Sequence, residues 1–178
     1  MELFKTDFYR MTGKKYCGNI SDILYIITHH NVKFMWWYRK KEQPVWKLFS
    51  KIRLYFLSRK FGLEFGNASI GKGFYIGHPY NVTICDNAII GNNVNIHKGA
   101  TIGAENRGKR KGTPLIGNNV YIGINSTIVG NVSIGDDVLI APNTFVNFNV
   151  PDHSLVIGNP AKVIRKDNAT AGYIGFCV

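Results

Sequence analysis

His78 and His97 are the residues of this chain best suited to move a proton, because imidazole is the side chain whose ordinary pKa lies near neutrality. His78 falls in Gly77-His78-Pro79-Tyr80-Asn81, where a regular run of aliphatic residues skips two positions. A repeat interrupted at a histidine marks a place where something besides stability is wanted. A second interruption, from Gly103 to Pro114, carries Arg107, Lys109, Arg110 and Lys111, cations that suit an anionic ligand. Cys17, Cys85 and Cys177 are odd in number, far apart and without a C-x-x-C pair, so neither a disulfide framework nor a zinc knuckle is indicated and a reducing compartment fits best.

The elements that must position these residues follow from one period. Aliphatic residues recur every six positions at Ile70 and Ile76, then Ile84, Ile90, Ile96 and Ile102, then Ile116, Ile122, Ile128, Ile134, Ile140 and Val146. Glycine follows seven of them, and a small or branched residue such as Ala88, Val94, Ala100, Val120 or Ser126 often sits four places on. Six fits neither a helix nor a plain strand alternation. It fits a three-sided coil with one hexad per side, each aliphatic pointing into a triangular core and each glycine relieving crowding at a turn. Coils of about 18 residues then set His97 beside His78, one coil along. The step from Ile76 to Ile84 is eight residues rather than six. The step from Ile102 to Ile116 is fourteen rather than twelve and leaves the prism as a loop.

Residues 1–65 read as a separate helical segment, 66–150 as the repeat domain and 151–178 as a C-terminal cap and tail. Of a formal net charge of +11, residues 1–65 carry +8 (13 Lys/Arg against 5 Asp/Glu) and residues 66–178 carry +3 (9 against 6). Ser21 and Asp22 are expected to cap a short helix through Ile27, and Pro44 to open a longer one closed by Gly62. In the second helix Val45, Leu48, Phe49, Ile52, Tyr55 and Phe56 recur at helical spacing, with Lys47, Lys51, Arg53, Arg59 and Lys60 among them. That apolar face is expected to dock on the neighbouring domain; the same composition also suits an anionic membrane surface. Trp36, Trp37 and Tyr38 are expected to pack under a helix rather than to stack on nucleic acid. No apolar run reaches the length of a signal peptide or a membrane span, and a cytoplasmic location is expected.

The I-G-x-x-x-x hexads resemble those of the hexapeptide-repeat acyltransferases. The stretch from Gly62 to Gly103, Thr113-Pro114-Leu115-Ile116-Gly117, and the ending Gly158-Asn159-Pro160-Ala161-Lys162-Val163-Ile164 resemble the serine acetyltransferase branch in particular, over about two-thirds of the chain. The resemblance implies an all-β domain, a left-handed parallel β-helix of hexapeptide repeats with a short N-terminal α-helical segment. It implies acetyl transfer from acetyl-coenzyme A to a hydroxyl without a metal, in a homotrimer with sites between subunits and no nucleic acid. His78 matches the general base of that branch. Glu64 matches its orienting acid once one residue is deleted between the two. His97, Tyr80 and Thr113 are candidates for binding the acceptor. Gly103, Gly123 and Ala141 are candidates for lining the pantetheine arm, with Lys111, Lys162 and Arg165 for the coenzyme A phosphates.

The departures from that branch bear on the acceptor. Serine acetyltransferases carry Asp directly before the catalytic His and an Arg-His pair before the Pro of the second loop, whereas this sequence has Gly77 and Gly112-Thr113. A buried ammonium and carboxylate would lack partners without those groups. A sugar or polysaccharide precursor is therefore the expected acceptor, with serine as the alternative. Two other classes compete: a β-helix carbonic anhydrase, which needs three histidines on zinc, and a non-catalytic basic scaffold that binds nucleic acid.

Overall fold

The computed structural model describes residues 1–178. A left-handed parallel β-helix with three faces forms the body of the molecule. The first face stacks Leu63–Phe65, Val82–Ile84, Thr101–Gly103, Thr127–Val129 and Phe145–Val146. The second stacks Ser69–Ile70, Ile89–Ile90, Leu115–Ile116 and Ser133–Ile134. The third stacks Tyr75–Gly77, Asn95–His97, Tyr121–Ile122, Val138–Ile140 and Ser154–Ile157, and an antiparallel strand, Lys162–Arg165, closes it. The sheets thus extend beyond residues 66 and 150 at both ends.

The in-phase aliphatics fill the core as the period requires. Ile76, Ile96, Ile122, Ile128, Ile134, Ile140 and Val146 have no exposed surface. Outside the two interruptions the residue four places after each aliphatic is buried too, including the hydroxyl residues Ser126 and Thr144. Each coil therefore adds two inward residues per side, and repetition yields one continuous core.

Most corners are turned by Asn or Asp, with Gly73 and Gly99 at the equivalent place in the first coils. Asn87, Asn93, Asn119, Asn125, Asp137 and Asn143, each three residues after an aliphatic, hold φ between 52° and 63°, a left-handed conformation that Asn and Asp tolerate better than other side chains. The glycines directly after the aliphatic serve close approach between coils. A Cβ on Gly71 would lie 2.5 Å from the carbonyl oxygen of Gly91, and one on Gly91 would lie 2.5 Å from that of Gly117. The same edge is laced by side chains that accept from backbone N–H groups one coil earlier: Asn92 from Lys72, Asn118 from Asn92, Asp136 from Asn118 and Asp152 from Asp136, at 2.6–3.0 Å.

Register also corrects the size of the second interruption. Ile102 lies on the first face and Ile116 on the next, so the loop replaces a single hexad step and adds eight residues, not two. The added residues leave the prism in a pinched excursion closed by Glu105 and Gly112, whose backbone N–H groups each donate to the other's carbonyl at 2.9 Å.

Four helices cover the open first coil: α1 (Glu2–Thr12), α2 (Ile20–Thr28), α3 (His30–Lys40) and α4 (Lys47–Phe61). No capping or spacing signal singled out α1, whose buried Asp7 is the main polar joint between segment and prism. Its carboxylate accepts from Arg39 Nε at 2.7 Å and from the Phe74 N–H at 2.8 Å, and Arg39 also donates to the carbonyls of Ile70 and Gly71. Asn19 caps α2 rather than Ser21 or Asp22, because its side chain accepts from the Asp22 N–H while the Asp22 carboxylate holds the N–H groups of Cys17 and Gly18. The Trp37 ring packs on Phe49 and Tyr38 is buried, which places these aromatics under helices as expected.

The expected docking face of α4 is reversed. Ser50, Leu54, Leu57 and Phe61 turn toward the body, whereas Leu48, Ile52, Tyr55 and Phe56, with Val45 of the preceding turn, face outward and are exposed, and Phe49 lies between Trp37 and solvent. Helical spacing reports that an apolar face exists and not which neighbour it meets, and here two such faces lie on opposite sides of one helix.

Candidate functional site

The first interruption forms a corner between the third face and the first. His78 is exposed there with φ 50°, a sparsely populated conformation for a non-glycine residue, and such strain clusters at functional positions. The corner is fastened to the next coil, because the Gly77 carbonyl accepts from the Lys98 N–H and the Tyr80 carbonyl from the Gly99 N–H. His97 pairs with Gly77 in register, and its ring centroid is 6.4 Å from that of His78. A Cβ on Gly77 would collide with Cε1 and Nδ1 of His97, so glycine at this position is what admits the imidazole.

His97 is half-buried, and its Nε2 is buried without a hydrogen-bond partner. Burial first, and the adjacent His78 second, hold its pKa below the usual histidine range, so it stays neutral at neutral pH. Its ring packs on Tyr121, with centroids 4.7 Å apart, and Tyr121 packs on Tyr173 of the tail at 5.1 Å. A cavity of about 410 Å³ opens beside it, lined by Arg10, Tyr75, Asn95, Tyr121 and Tyr173 among others. Arg10 donates to Asn95 Oδ1, and Asn95 Nδ2 donates to the Tyr173 carbonyl, so one wall is fixed by α1 and another by the tail. Tyr75, Tyr121, Tyr173 and Asn95 were invisible to motif reasoning. Their only signal is register, since Tyr75, Asn95 and Tyr121 occupy one column of the third face. A cavity of about 720 Å³ lies among α1, α3 and Asn67–Ile70, and it contains none of the expected site residues.

The other expected residues divide between two edges. Gly123 and Ala141 follow Ile122 and Ile140 of the third face, in the same column as Gly77 and His97. Gly103 and Lys111 lie at the next edge, where the loop leaves. Gly123 is buried, and its missing Cβ is accounted for by the backbone of the next coil, with Pro142 N at 2.7 Å. Around Gly103 a Cβ would find only Val129 and Thr101, at 3.4 Å and beyond. The Thr113 hydroxyl donates to the Asn87 carbonyl at 3.2 Å, and nothing within the chain joins it to His78. The Tyr80 ring packs edge-on against His30 and Phe61 of the helical segment. Lys162 and Arg165 are exposed on the closing strand, where Arg165 approaches Asp167 at 3.7 Å. Glu64 is exposed on the first face opposite Thr83, and no hydrogen bond or ion pair links it to His78. The dyad implied by the resemblance is therefore not formed within the chain. The deleted residue between the two positions changes how far apart along the coil they fall. No group of three or more His, Cys, Asp or Glu side chains that could hold a metal ion gathers within the chain.

Residues 113–147 match the family model described as bacterial transferase hexapeptide (six repeats). A serine acetyltransferase of Helicobacter pylori is 36% identical over 126 residues, which is 66% of this chain and 74% of that protein. The chain belongs to the serine acetyltransferase-like branch of the hexapeptide-repeat acyltransferases. Among solved structures, the serine acetyltransferase of Neisseria gonorrhoeae in complex with serine matches this branch member with a TM-score of 0.74 at 25% identity, over 92% of this chain and 68% of that one. Serine acetyltransferase 2 of Arabidopsis thaliana is 40% identical over 110 residues, or 61% of this chain. The chain spans 34% of that plant relative and 61% of the Staphylococcus xylosus one.

Proposed function

We propose that the chain is an acetyl-coenzyme A-dependent O-acetyltransferase with His78 as general base. His78 takes the proton from an acceptor hydroxyl, the alkoxide attacks the thioester carbonyl, and collapse of the tetrahedral intermediate releases the coenzyme A thiolate, which is then protonated. The observation that carries this reading is His78 itself, a strained and exposed imidazole at the sole two-residue insertion between the third face and the first, in a chain of this family. An oxyanion in such a site needs a preorganised backbone N–H, and no metal is invoked.

Acetyl-coenzyme A fits two features. The lysine and arginine residues of the 107–111 loop are exposed and unpaired, as a pyrophosphate and a 3′-phosphate would need. Gly103 leaves open space beside the first face that a narrow pantetheine arm could enter. Because Gly103 and Lys111 lie at one edge and His78, Gly123 and Ala141 at another, one cofactor could touch both sets only across two chains. That geometry supports the homotrimer reading.

For the acceptor, the relatives' names favour serine over a sugar, and serine is the first acceptor to test. A second reading, a glycan hydroxyl, is favoured by one observation: His97 fills the space where an acidic residue at position 77 would stand, beside a tyrosine-lined cavity of the kind that stacks on sugar rings. Coenzyme A release measured with serine and with a panel of sugar hydroxyls decides between them. Serine turnover well above every sugar removes the glycan reading. Turnover unchanged by His78→Ala removes His78 as the base. Stoichiometric zinc whose loss abolishes activity removes the acetyl-transfer mechanism altogether.

A further inference from the structure

Helix α4 is built with two opposed apolar faces, and the prism uses only one. Leu54, Leu57 and Phe61 pack on the core, while Leu48, Ile52 and Phe56 stand 73%, 47% and 63% exposed on the far side, continued by Val45, 89% exposed in the turn before the helix. The outer ridge is bordered by cations on both flanks: Lys47 and Lys51 on one, Arg53 and Lys60 on the other, with Arg59 at its end. Arg53 and Arg59 lay their guanidinium groups over Phe49 and Tyr55, so their stems follow the ridge while their charges reach its rim. A groove of about 400 Å³ between α2 and α4, lined by Ile23, Ile27, Trp36, Trp37 and Arg53, continues the apolar surface to the exposed Ile20 and Leu24 of α2.

The charges identify what covers this face. Residues 43–63 hold five cations and no acid. The nearest acids are Glu42 and Glu64, which lie beyond the two ends of the helix and not on the flanks of the ridge, and Asp22, which is buried and engaged by two backbone N–H groups. A second copy docked face to face would set Lys and Arg against Lys and Arg with nothing to neutralise them. Nucleic acid would supply phosphates but would leave the Val, Leu and Ile ridge uncovered, since stacking needs aromatic planes. An anionic bilayer answers both needs: headgroup phosphates for the flanks and the acyl boundary for the ridge. No helix is long and apolar enough to cross a membrane, so the contact would lie in the interface plane.

We propose that α4, with the exposed side of α2, is a docking surface for the anionic face of a lipid bilayer. The acyltransferase prism is thereby held at a membrane surface, whichever hydroxyl it acetylates.

The test uses the full chain with vesicles of phosphatidylcholine mixed with phosphatidylglycerol and with vesicles of phosphatidylcholine alone, read by flotation. Binding is expected to the anionic vesicles at low salt and to weaken as salt rises. Ile52→Asp with Phe56→Asp is expected to reduce binding at least tenfold. Replacing Lys47, Lys51, Arg53 and Lys60 by Gln, which keeps the ridge intact, is expected to weaken it by about fivefold for each cation removed. Thermal unfolding reports whether each variant still folds. The proposal is overturned if the wild-type chain ignores anionic vesicles, if it binds neutral ones equally, or if the glutamine variant binds as well as wild type. It is also overturned if the ridge variant only dissociates a larger oligomer, or if RNA competes the chain off this face.

Discussion

The prism and the helical segment solve the burial problem in opposite ways. In the prism every coil repeats one solution: two inward residues per side, an Asn or Asp at the corner, and a glycine where coils touch. Its outer faces need little more. In the helical segment each helix is an individual arrangement, joined to the prism through Asp7 and Arg39, and it leaves a large apolar surface uncovered. A repeat satisfies itself, whereas an appendage without repeats is shaped by its partners. The proposed site lies where the two meet, at a corner whose His78 belongs to the prism and whose Tyr80 packs against His30 and Phe61.

The largest expected effect tests whether the site belongs to the prism alone. His78→Ala is expected to lower acetyl transfer by about 10²–10⁴-fold, with the unfolding midpoint unchanged. A comparable loss from Phe61→Ala, at constant stability, would make the helical segment a partner in catalysis.

Next comes the joint between the regions. Asp7→Ala strands the buried Arg39 guanidinium and is expected to cost about 3–5 kcal/mol in urea unfolding. If the helices and the prism fold as one unit, a single transition moves to lower urea. Two separated transitions would instead mean that each region is stable by itself.

Within the prism, Gly91→Ala sets a methyl against the carbonyl of Gly117 and is expected to cost about 1–3 kcal/mol. The same change at Gly108, where a Cβ meets nothing within 4 Å but φ is 68°, is expected to cost less, through backbone strain alone.

Gly77→Ala is expected to push the His97 ring aside and to raise KM for the acceptor more than it lowers kcat. An unchanged KM would remove His97 from the acceptor pocket.

The smallest effect concerns the tail. Asp137 raises the pKa of His153 by accepting its ring N–H at 2.9 Å, and also holds the N–H groups of Ala169 and Thr170. A histidine whose pKa is raised by folding adds stability that is complete below its unfolded pKa and is lost as pH rises through the folded one. A slight loss of tail protection is therefore expected in hydrogen exchange as pH climbs above about 6.5, and His153→Gln should abolish that dependence.

How much of this could be read in the sequence follows the same division. The hexad gave the three faces, the core residues and the adjacency of His78 and His97, because register in a solenoid is arithmetic. The arithmetic failed once, at Ile102 to Ile116, where the spacing is compatible with one hexad step or two and only the pairing of faces decides. The Asn corner column went unread because hydrophobic period carries no information about φ. Glu64 comes from resemblance across a gap, and a gap of one residue along a strand exchanges inward-pointing for outward-pointing positions. In α4 the outward face has the stronger apolar spacing, so period alone favoured the wrong side.

Counting residues between successive core aliphatics exposes a last asymmetry. From the third face to the first the steps are 8, 6, 6 and 6, and from the first to the second 6, 14, 6 and 4, the last ending at Val150. From the second face to the third every step is six: Ile70 to Ile76, Ile90 to Ile96, Ile116 to Ile122, Ile134 to Ile140 and Val150 to Val156. That invariant edge is the one where glycine meets carbonyl and where Asn92, Asn118, Asp136 and Asp152 lace the coils. The molecule thus has a spine along one edge, and new loops can be grafted onto the other two without disturbing its pitch.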